Sequence, residues 1–492
     1  MTKAIFAGNV NDLGILGCIS AWRGGGLWLT TVTNLRQAGA ERVDGRESIM
    51  QLSRRLAVAF AALALAPAVG YAQAPTGKLT VVTSFSKEVT EPFKSAFEKA
   101  FPGTTVDMQN RNTNAGVKFL DETKANNAVD LFWASAPDAF EVLKSKGLLE
   151  AYKPKADGVP EKIGQYPIND PAGFYTGFAA SGYGIMWNTR YVQAQKLPEP
   201  KEWEDLATAP YFDHISMAAP SRSGTTHLTL EAILQTAGWD KGWGIIKSFS
   251  GNLRGVTERS FGVPDAVNSG QVGYGIVIDF FGFSAQGAGF PVKFVYPSLS
   301  TIVPANIGVV KNPPNAIAAK AFVDFILSDP GQQILFDPKI RRLPVKPSVY
   351  AKAPEGLPNP FEFKWVANSK FDVDKSEKRY AVVDALYDQL VTFQHDALKA
   401  ATKAIHEADA AIAKKPNAEA SKLVAEARAL VAEMPVTEAD AAGADLAAAF
   451  KGAGGKEKAP RQAEVEQTWA KFSKEKYAAA QAKAEAALKA AK

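Results

Sequence analysis

Polar and hydrophobic positions alternate in short runs that repeatedly give way to helical spacing. Residues 79–83 alternate as a strand, and 87–101 place Phe93, Phe97 and Phe101 on one helical face. Residues 104–108 predict a second strand, 117–124 a second helix, 129–133 a third strand, and 137–149 a helix opening with proline. Strands alternating with helices of this length predict a parallel sheet with right-handed crossovers. Near Tyr175 the pattern changes. Small-residue strand sequence fills 178–187, and a second α/β set follows: strand 215–218, helices 225–237 and 262–268, strands 272–278 and 292–296. A strand at 305–310 reads as a return to the first lobe, with helices at 316–327 and 331–336 behind it. Two α/β lobes joined by more than one crossing predict a hinged clamshell, with a ligand cleft at the strand C-termini between them.

Beyond about Asp374 the sequence turns to Ala, Lys and Glu. Val383, Leu386, Leu390, Phe393, Ala397, Ala401 and Ile405 trace one helical stripe. Pro-Asn at 416–417 breaks it, 423–430 resumes it, and Met-Pro at 434–435 breaks it again. A glycine-rich joint at 452–455 precedes a last helix at 463–489. Only the first two segments carry enough large apolar residues to pack firmly, so the last is expected to be a loosely held helix. It reads either as a solvated extension or as an arm that docks a partner, and removing 375–492 is expected to leave ligand affinity intact.

The N-terminal region has a separate logic. Arg54 and Arg55 precede an apolar run from Leu56 to Val69, interrupted by Pro67, and small residues follow to Ala72 or Ala74. A charged start, a short apolar stretch and a small-residue exit describe a secretory signal peptide, too short to span a bilayer. Residues 1–49 lack periodicity and stand ahead of Met50, so they read as an over-extended start. The expected organisation is therefore 1–49 unstructured, 50–74 signal peptide, 75–178 the first part of lobe 1, and 179–301 lobe 2. Residues 302–374 form the return to lobe 1, and 375–492 an all-α extension. With no cysteine at the cleavage site there is no lipoprotein anchor, and the mature protein is expected in the periplasm.

Composition narrows the chemistry. The 492 residues are 46% hydrophobic and 22% charged, enough apolar sequence for real cores. The first 74 residues hold 7 basic and 4 acidic groups, leaving 49 basic against 47 acidic in the remainder. So balanced a surface carries no footprint for nucleic acid. Cys18 is the sole cysteine, which excludes a disulfide framework and any C-x-x-C site. His214, His227, His395 and His406 have no metal-ligand spacing, and no phosphate-loop, dinucleotide or nucleophile-elbow motif occurs. No metal or cofactor is expected.

Hydroxyl-rich segments recur where strands end and helices begin. Thr83, Ser84 and Ser86 precede the first helix and Ser135 the third; Ser221, Arg222, Ser223, Gly224, Thr225 and Thr226 precede the main helix of lobe 2; Arg259 and Ser260 precede the next. Helix N-termini present unpaired N–H groups and partial positive charge, so such segments suit an anion; each hydroxyl could equally be a helix cap. Gly224 allows close backbone approach, and Arg222 adds charge. Arg111 and Arg259 are further cationic candidates, or surface ion-pair members. His227 is either a ligand donor or a core histidine. Asp279 ends an apolar strand, where it either accepts from ligand hydroxyls or pairs with an arginine.

The PSRSGTTH segment at 220–227, GNL at 251–253, RSFGV at 259–263, Ile278-Asp279 and LPV at 343–345 together resemble family 1 extracellular solute-binding proteins of the clamshell type. Within them the likeness is to the phosphoglycerate-transport regulatory branch and its sugar-phosphate-binding relatives, from about 79 to 350 and weakly into the tail. The resemblance implies a two-lobed type II periplasmic-binding-protein fold, no catalysis, and a small anionic ligand closed between lobes. It implies one of two membrane partners, an ABC transporter permease or a sensor kinase controlling transporter expression. An iron-binding branch of the superfamily uses adjacent tyrosines; here the stretch reads Asp279-Phe280-Phe281, without a phenolate. A remote alternative is an exported serine hydrolase built from Ser221 or Ser223 with His227 and Asp279.

Overall fold

The computed structural model describes residues 74–164, 166–363, 371–450 and 459–492. The expected start extension, nearly all of the signal peptide and the glycine joint at 452–455 lie outside the described residues.

The first lobe begins β1 (Gly77–Thr83), α1 (Lys87–Ala100), β2 (Thr104–Asn110), α2 (Thr113–Thr123), β3 (Leu131–Ala134) and α3 (Pro137–Ser145), then a short β4 (Leu149–Glu150). Strand β1 runs parallel to both β2 and β3, with Val81 opposite Met108 and Leu131. Its positions from Leu79 onward are buried, as a strand covered on both faces requires. Val89, Phe93 and Phe97 face the sheet from α1, where Phe93 meets Trp133 edge-to-face at 5.4 Å and Phe85 meets the same ring at 5.1 Å.

Strand β5 (Thr176–Asn188) is buried at all 13 positions and belongs to both lobes. The second lobe then adds β6 (Ile215–Ala218), α4 (Gly224–Ala237), α5 (Trp239–Ser250), β7 (Leu253–Thr257), α6 (Gly262–Asn268), β8 (Tyr274–Ile278), α7 (Asp279–Gly287) and β9 (Val292–Val295). The chain returns through β10 (Ile302–Val310), α8 (Ala316–Leu327) and a short β11 (Leu343–Pro344). The strand order is β2-β1-β3-β10-β5-β8-β6-β7, with β9 and β11 also on β5 and β4 on β10. From Thr176 to Gly182, β5 pairs antiparallel with β10; from Tyr183 to Trp187 it pairs with β8. The changeover at Gly182/Tyr183 lies inside one continuous strand, a little beyond the 178/179 boundary expected from sequence. The small residues of β5 have a packing reason: a Cβ on Gly184 would lie 2.1 Å from the Val295 carbonyl oxygen.

The fold is therefore mixed α/β, two-lobed, with a C-terminal helical region. That region holds α9 (Val373–Tyr387), a π-helical turn at Asp388–Thr392, α10 (His395–Lys414), α11 (Ala418–Ala432), two short helical turns and α12 (Pro460–Ala491). The π-turn splits the apolar stripe that reads as continuous in sequence. Val383, Leu386, Tyr387 and Leu390 are fully buried in one core with Trp203, Met217, Leu230 and Trp243 of the second lobe. The expectation of a loosely held last helix fails. Ala480, Ala484, Ala487 and Ala491 recur on one face of α12 and are buried, and Trp469 and Tyr477 are buried with them. Alanine lets helix backbones approach closely, so this seam needs few large side chains. The Tyr477 hydroxyl also donates to the Leu390 carbonyl at 2.7 Å. Among the described residues no helix is long and apolar enough to cross a membrane.

Candidate ligand cleft

The cleft lies between the lobes, where β1, β3, β6 and β8 end. The cavity it encloses is small, about 40 Å³. From the first lobe it is lined by Ser84, Phe85 and Ser86 after β1, Asn112 and Thr113 at the start of α2, Ser135 after β3, and Arg342 before β11. The second lobe supplies Arg222, Ser223, Thr225, Arg259, Ser260, Phe261, Phe280 and Phe281. No carboxylate belongs to this lining.

Three features give it the character of an anion site. Ser223 is the N-cap of α4, its hydroxyl accepting from the Thr226 amide at 3.1 Å, and the same oxygen lies 2.5 Å from the Ser260 hydroxyl. A helix N-terminus thus opens beside paired hydroxyls. Arg259 reaches across the lobes to donate to Asn110 at 3.1 Å and lies over the Phe261 ring. Arg342 is fully buried between the rings of Phe85 and Phe280, at 4.4 and 3.6 Å from their centroids. Its terminal nitrogens donate to Ser135 at 3.2 Å and Ser181 at 3.4 Å, while its Nε has no partner. Burial pushes the guanidinium down to about 9, against the pull of Asp279, so it is charged at neutral pH. Next to it Arg341 takes φ 46°, a left-handed conformation that a side-chain-bearing residue adopts at a cost.

Of the residues picked from sequence, Ser84, Ser86, Ser135, Arg222, Ser223, Thr225, Arg259 and Ser260 line the cleft. Seven others lie elsewhere, each for a visible reason. The Thr83 hydroxyl accepts from the Phe85 amide and shapes the loop after β1. Arg111 stacks on Phe119 at 3.9 Å. Ser221 turns toward Asp388 of the helical extension, and its carbonyl accepts from Asn114 at 3.0 Å. Thr226 donates to Ser223 at 3.0 Å. Gly224 does serve a close approach, but to the other lobe: a Cβ there would lie 2.7 Å from Cβ of Ala136 and 3.2 Å from the Thr113 hydroxyl.

Asp279 is fully buried with its oxygens occupied. One accepts from the Gly182 amide at 2.7 Å and the Tyr296 hydroxyl at 2.8 Å, the other from the Phe280 amide at 2.7 Å. Burial raises its carboxyl to about 6 in spite of those donors. Its part is to fix the turn that aims Phe280 and Phe281 into the cleft. His227 is likewise buried, with Nδ1 2.7 Å from Asp384 and Nε2 3.2 Å from Asp138, its ring stacked on Tyr380 at 3.9 Å. It cannot serve Ser221 or Ser223 as a general base, and Asp279 orients no histidine, so the hydrolase alternative has no triad. Among the described residues no group of three or more His, Cys, Asp or Glu side chains could hold a metal ion.

Asn112, Thr113, the phenylalanines and, above all, Arg342 also line the cleft but do not stand out in the sequence pattern. The signal for Arg342 was a pair of arginines directly before the LPV motif, at a strand too short to register as periodic.

Comparison with known proteins agrees with this architecture. Residues 126–372 match the family of bacterial extracellular solute-binding proteins. The phosphoglycerate transport regulatory protein PgtC of Salmonella typhimurium is 30% identical over 351 residues, 71% of this chain and 85% of that protein. An uncharacterized protein of Haemophilus influenzae is 25% identical over 286 residues, 57% of this chain and 81% of its own length. Among solved structures, the periplasmic binding protein AfuA of Actinobacillus pleuropneumoniae, with fructose-6-phosphate bound, shares the fold. Its TM-score is 0.56 at 21% identity, over 63% of this chain and 98% of that one. The periplasmic binding protein P5PA gives a TM-score of 0.57 at 20% identity, over 64% and 99%.

Proposed function

Because the chain belongs to the bacterial extracellular solute-binding protein family, whose members bind ligands and are not enzymes, we propose that it is a periplasmic receptor for a small phosphorylated organic anion handed to an ABC importer. The observation that carries this reading is the make-up of the cleft: three arginines, a run of hydroxyls and a helix N-terminus, with no carboxylate in the lining. Donors come from both lobes, so an anion bridging them stabilises the closed arrangement by contacts the open one lacks. The ligand types associated with the relatives, a phosphoglycerate for PgtC and a sugar phosphate for AfuA, support the phosphorylated class. Export through the signal peptide at 50–74 places the cleft where such solutes arrive.

Titration calorimetry of the mature chain against phosphorylated metabolites, free carboxylates and neutral sugars tests the proposal. Heat from the phosphorylated members is expected. Saturable binding of neutral sugars alone would refute it.

A second reading, as the ligand-sensing input of a membrane kinase that controls transporter expression, is favoured by one feature. The helical extension shares a core with the second lobe, and the 30% identical relative carries a regulatory name. Transporter induction in a strain lacking the chain separates the two: loss of induction with an intact importer supports sensing, and loss of uptake with intact induction supports delivery.

A further inference from the structure

Helix α9 grips the starts of three helices that open onto the cleft. Asn114 stands in the first turn of α2 and Asp138 in that of α3, and His227 closes that of α4. Their neighbours Asn112, Thr113, Ser135 and Thr225 line the cleft. Behind that lining, Ser376 donates to Asp138 at 3.0 Å, and the Tyr380 hydroxyl donates to the Asn114 side chain at 2.7 Å. Asp384 accepts from Asn114 at 3.1 Å and meets His227 at 2.7 Å, while the Tyr380 ring stacks on the imidazole. Ser376, Tyr380 and Asp384 follow one another at four-residue intervals, so they form a single polar stripe along α9.

The two lobes hold this helix differently. Toward lobe 2 it is fixed by a common core, in which Val382, Val383 and Leu386 join Leu230 and Trp243. The buried Arg379 adds two bonds of 2.8 Å to Glu231. Toward lobe 1, past the helix start at Val373, the attachments are hydrogen bonds: those to Asp138 and Asn114, and one at the exposed edge from Ser145 to Glu377 at 3.1 Å. A hydrogen bond is lost within a fraction of an ångström, whereas a close-packed interior moves as a unit. Lobe 1 is therefore the side that lets go.

We propose that α9 is a latch on the clamshell. Its Ser376–Tyr380–Asp384 stripe holds the lobes shut with bonds that a solute does not supply. Opening is the release of Asp138 and Asn114 while α9 stays on lobe 2, so a solute enters only as often as the latch gives way. The device is independent of which solute the cleft takes, and so goes beyond the receptor reading.

Downstream of Cys18 the chain has no cysteine, so Lys87→Cys on lobe 1 and Gln271→Cys on lobe 2, both exposed, carry spin labels in the full mature protein. Interlobe distances are measured by pulsed electron paramagnetic resonance with no solute added. The labelled chain with an intact latch is expected to give one narrow distance. Ser376→Ala combined with Tyr380→Phe should add a longer one, the closed-to-open ratio falling about tenfold for each bond lost. Should that double variant melt far below the parent, Tyr380→Phe alone carries the comparison, with a single tenfold change. A broad or long distance in the intact chain, or variants that keep its distribution, overturns the latch and leaves the receptor reading standing.

Discussion

His227 and Asp384, 157 residues apart in the chain, lie 2.7 Å from each other in the buried seam where lobe 1, lobe 2 and the helical extension meet. Asp138 of the first lobe completes the arrangement at 3.2 Å, and Ser376 of α9 donates to it at 3.0 Å. Asn114 joins the same seam, donating to Asp384 and accepting from Tyr380. Helix α9 is thus bonded to both lobes at once.

The charge state of this seam sets a pH dependence. Burial works against the charged imidazole, but Asp384 and Asp138 more than offset it and raise His227 to about 9. A raised histidine contributes stability that is fully present below its unfolded value near 6.5 and is lost as pH rises through 9. Urea unfolding of wild type and His227→Gln should differ by about 3 kcal/mol or more at pH 6, since the substitution leaves buried carboxylates without their cation. The difference should shrink toward pH 9.5. A gap that stays constant across that range would contradict a charged His227.

Gly224 predicts a steric effect on closure. In Gly224→Ala the new methyl meets Ala136, and forcing such a contact costs about 1–3 kcal/mol. Ligand affinity should weaken by roughly tenfold or more. Ala136→Gly in the same chain should recover most of that loss, because it removes the atom struck. Calorimetry on the two single variants and the double variant decides it; no recovery in the double variant would mean that Gly224 acts otherwise.

Ser223 and Ser260 should separate capping from binding. Ser260→Ala is expected to lower affinity for a phosphorylated ligand with little change in melting temperature. Ser223→Ala should do both, since loss of an N-cap costs about 1 kcal/mol. Equal effects of the two on melting would assign Ser260 a structural part.

The expectation that removing 375–492 leaves ligand affinity intact gives way to a different prediction. Truncation at 374 strips Val383, Leu386, Tyr387 and Leu390 from the second-lobe core and leaves Glu231 buried without Arg379. The truncated chain should be insoluble or melt far below the full one, as followed by circular dichroism. A soluble fragment with native melting would refute the shared core. Arg379→Met alone, breaking a buried pair, should cost about 3–5 kcal/mol.

Much of the fold was legible because each lobe repeats elements whose apolar period is 2 or 3.6. Helices at 262–268 and 316–327 match their predicted bounds. Helix α5 was not legible: Gly242 and Gly244 interrupt its apolar face, although Gly242 sits where Leu234 leaves no room for a side chain. The tail was misjudged because alanine reads as neutral in a stripe while it packs well between backbones. In the cleft, hydroxyls at strand ends were visible in sequence, but pairing was not. Nothing in the sequence around His227 points to Asp384 or Asp138, and Arg342 is distinguished only by what three-dimensional packing fails to give it.

The 32 residues of α12 give the extension a mechanical consequence. At 1.5 Å per residue the helix is about 48 Å long, and its far end is tied back into the bundle, the Asn417 side chain donating to the Ala490 carbonyl at 2.9 Å. Sharing its interior with the second lobe and bonded through α9 to Asp138 and Asn114 of the first, the bundle braces the junction, so any rotation of one lobe against the other has to break those bonds first.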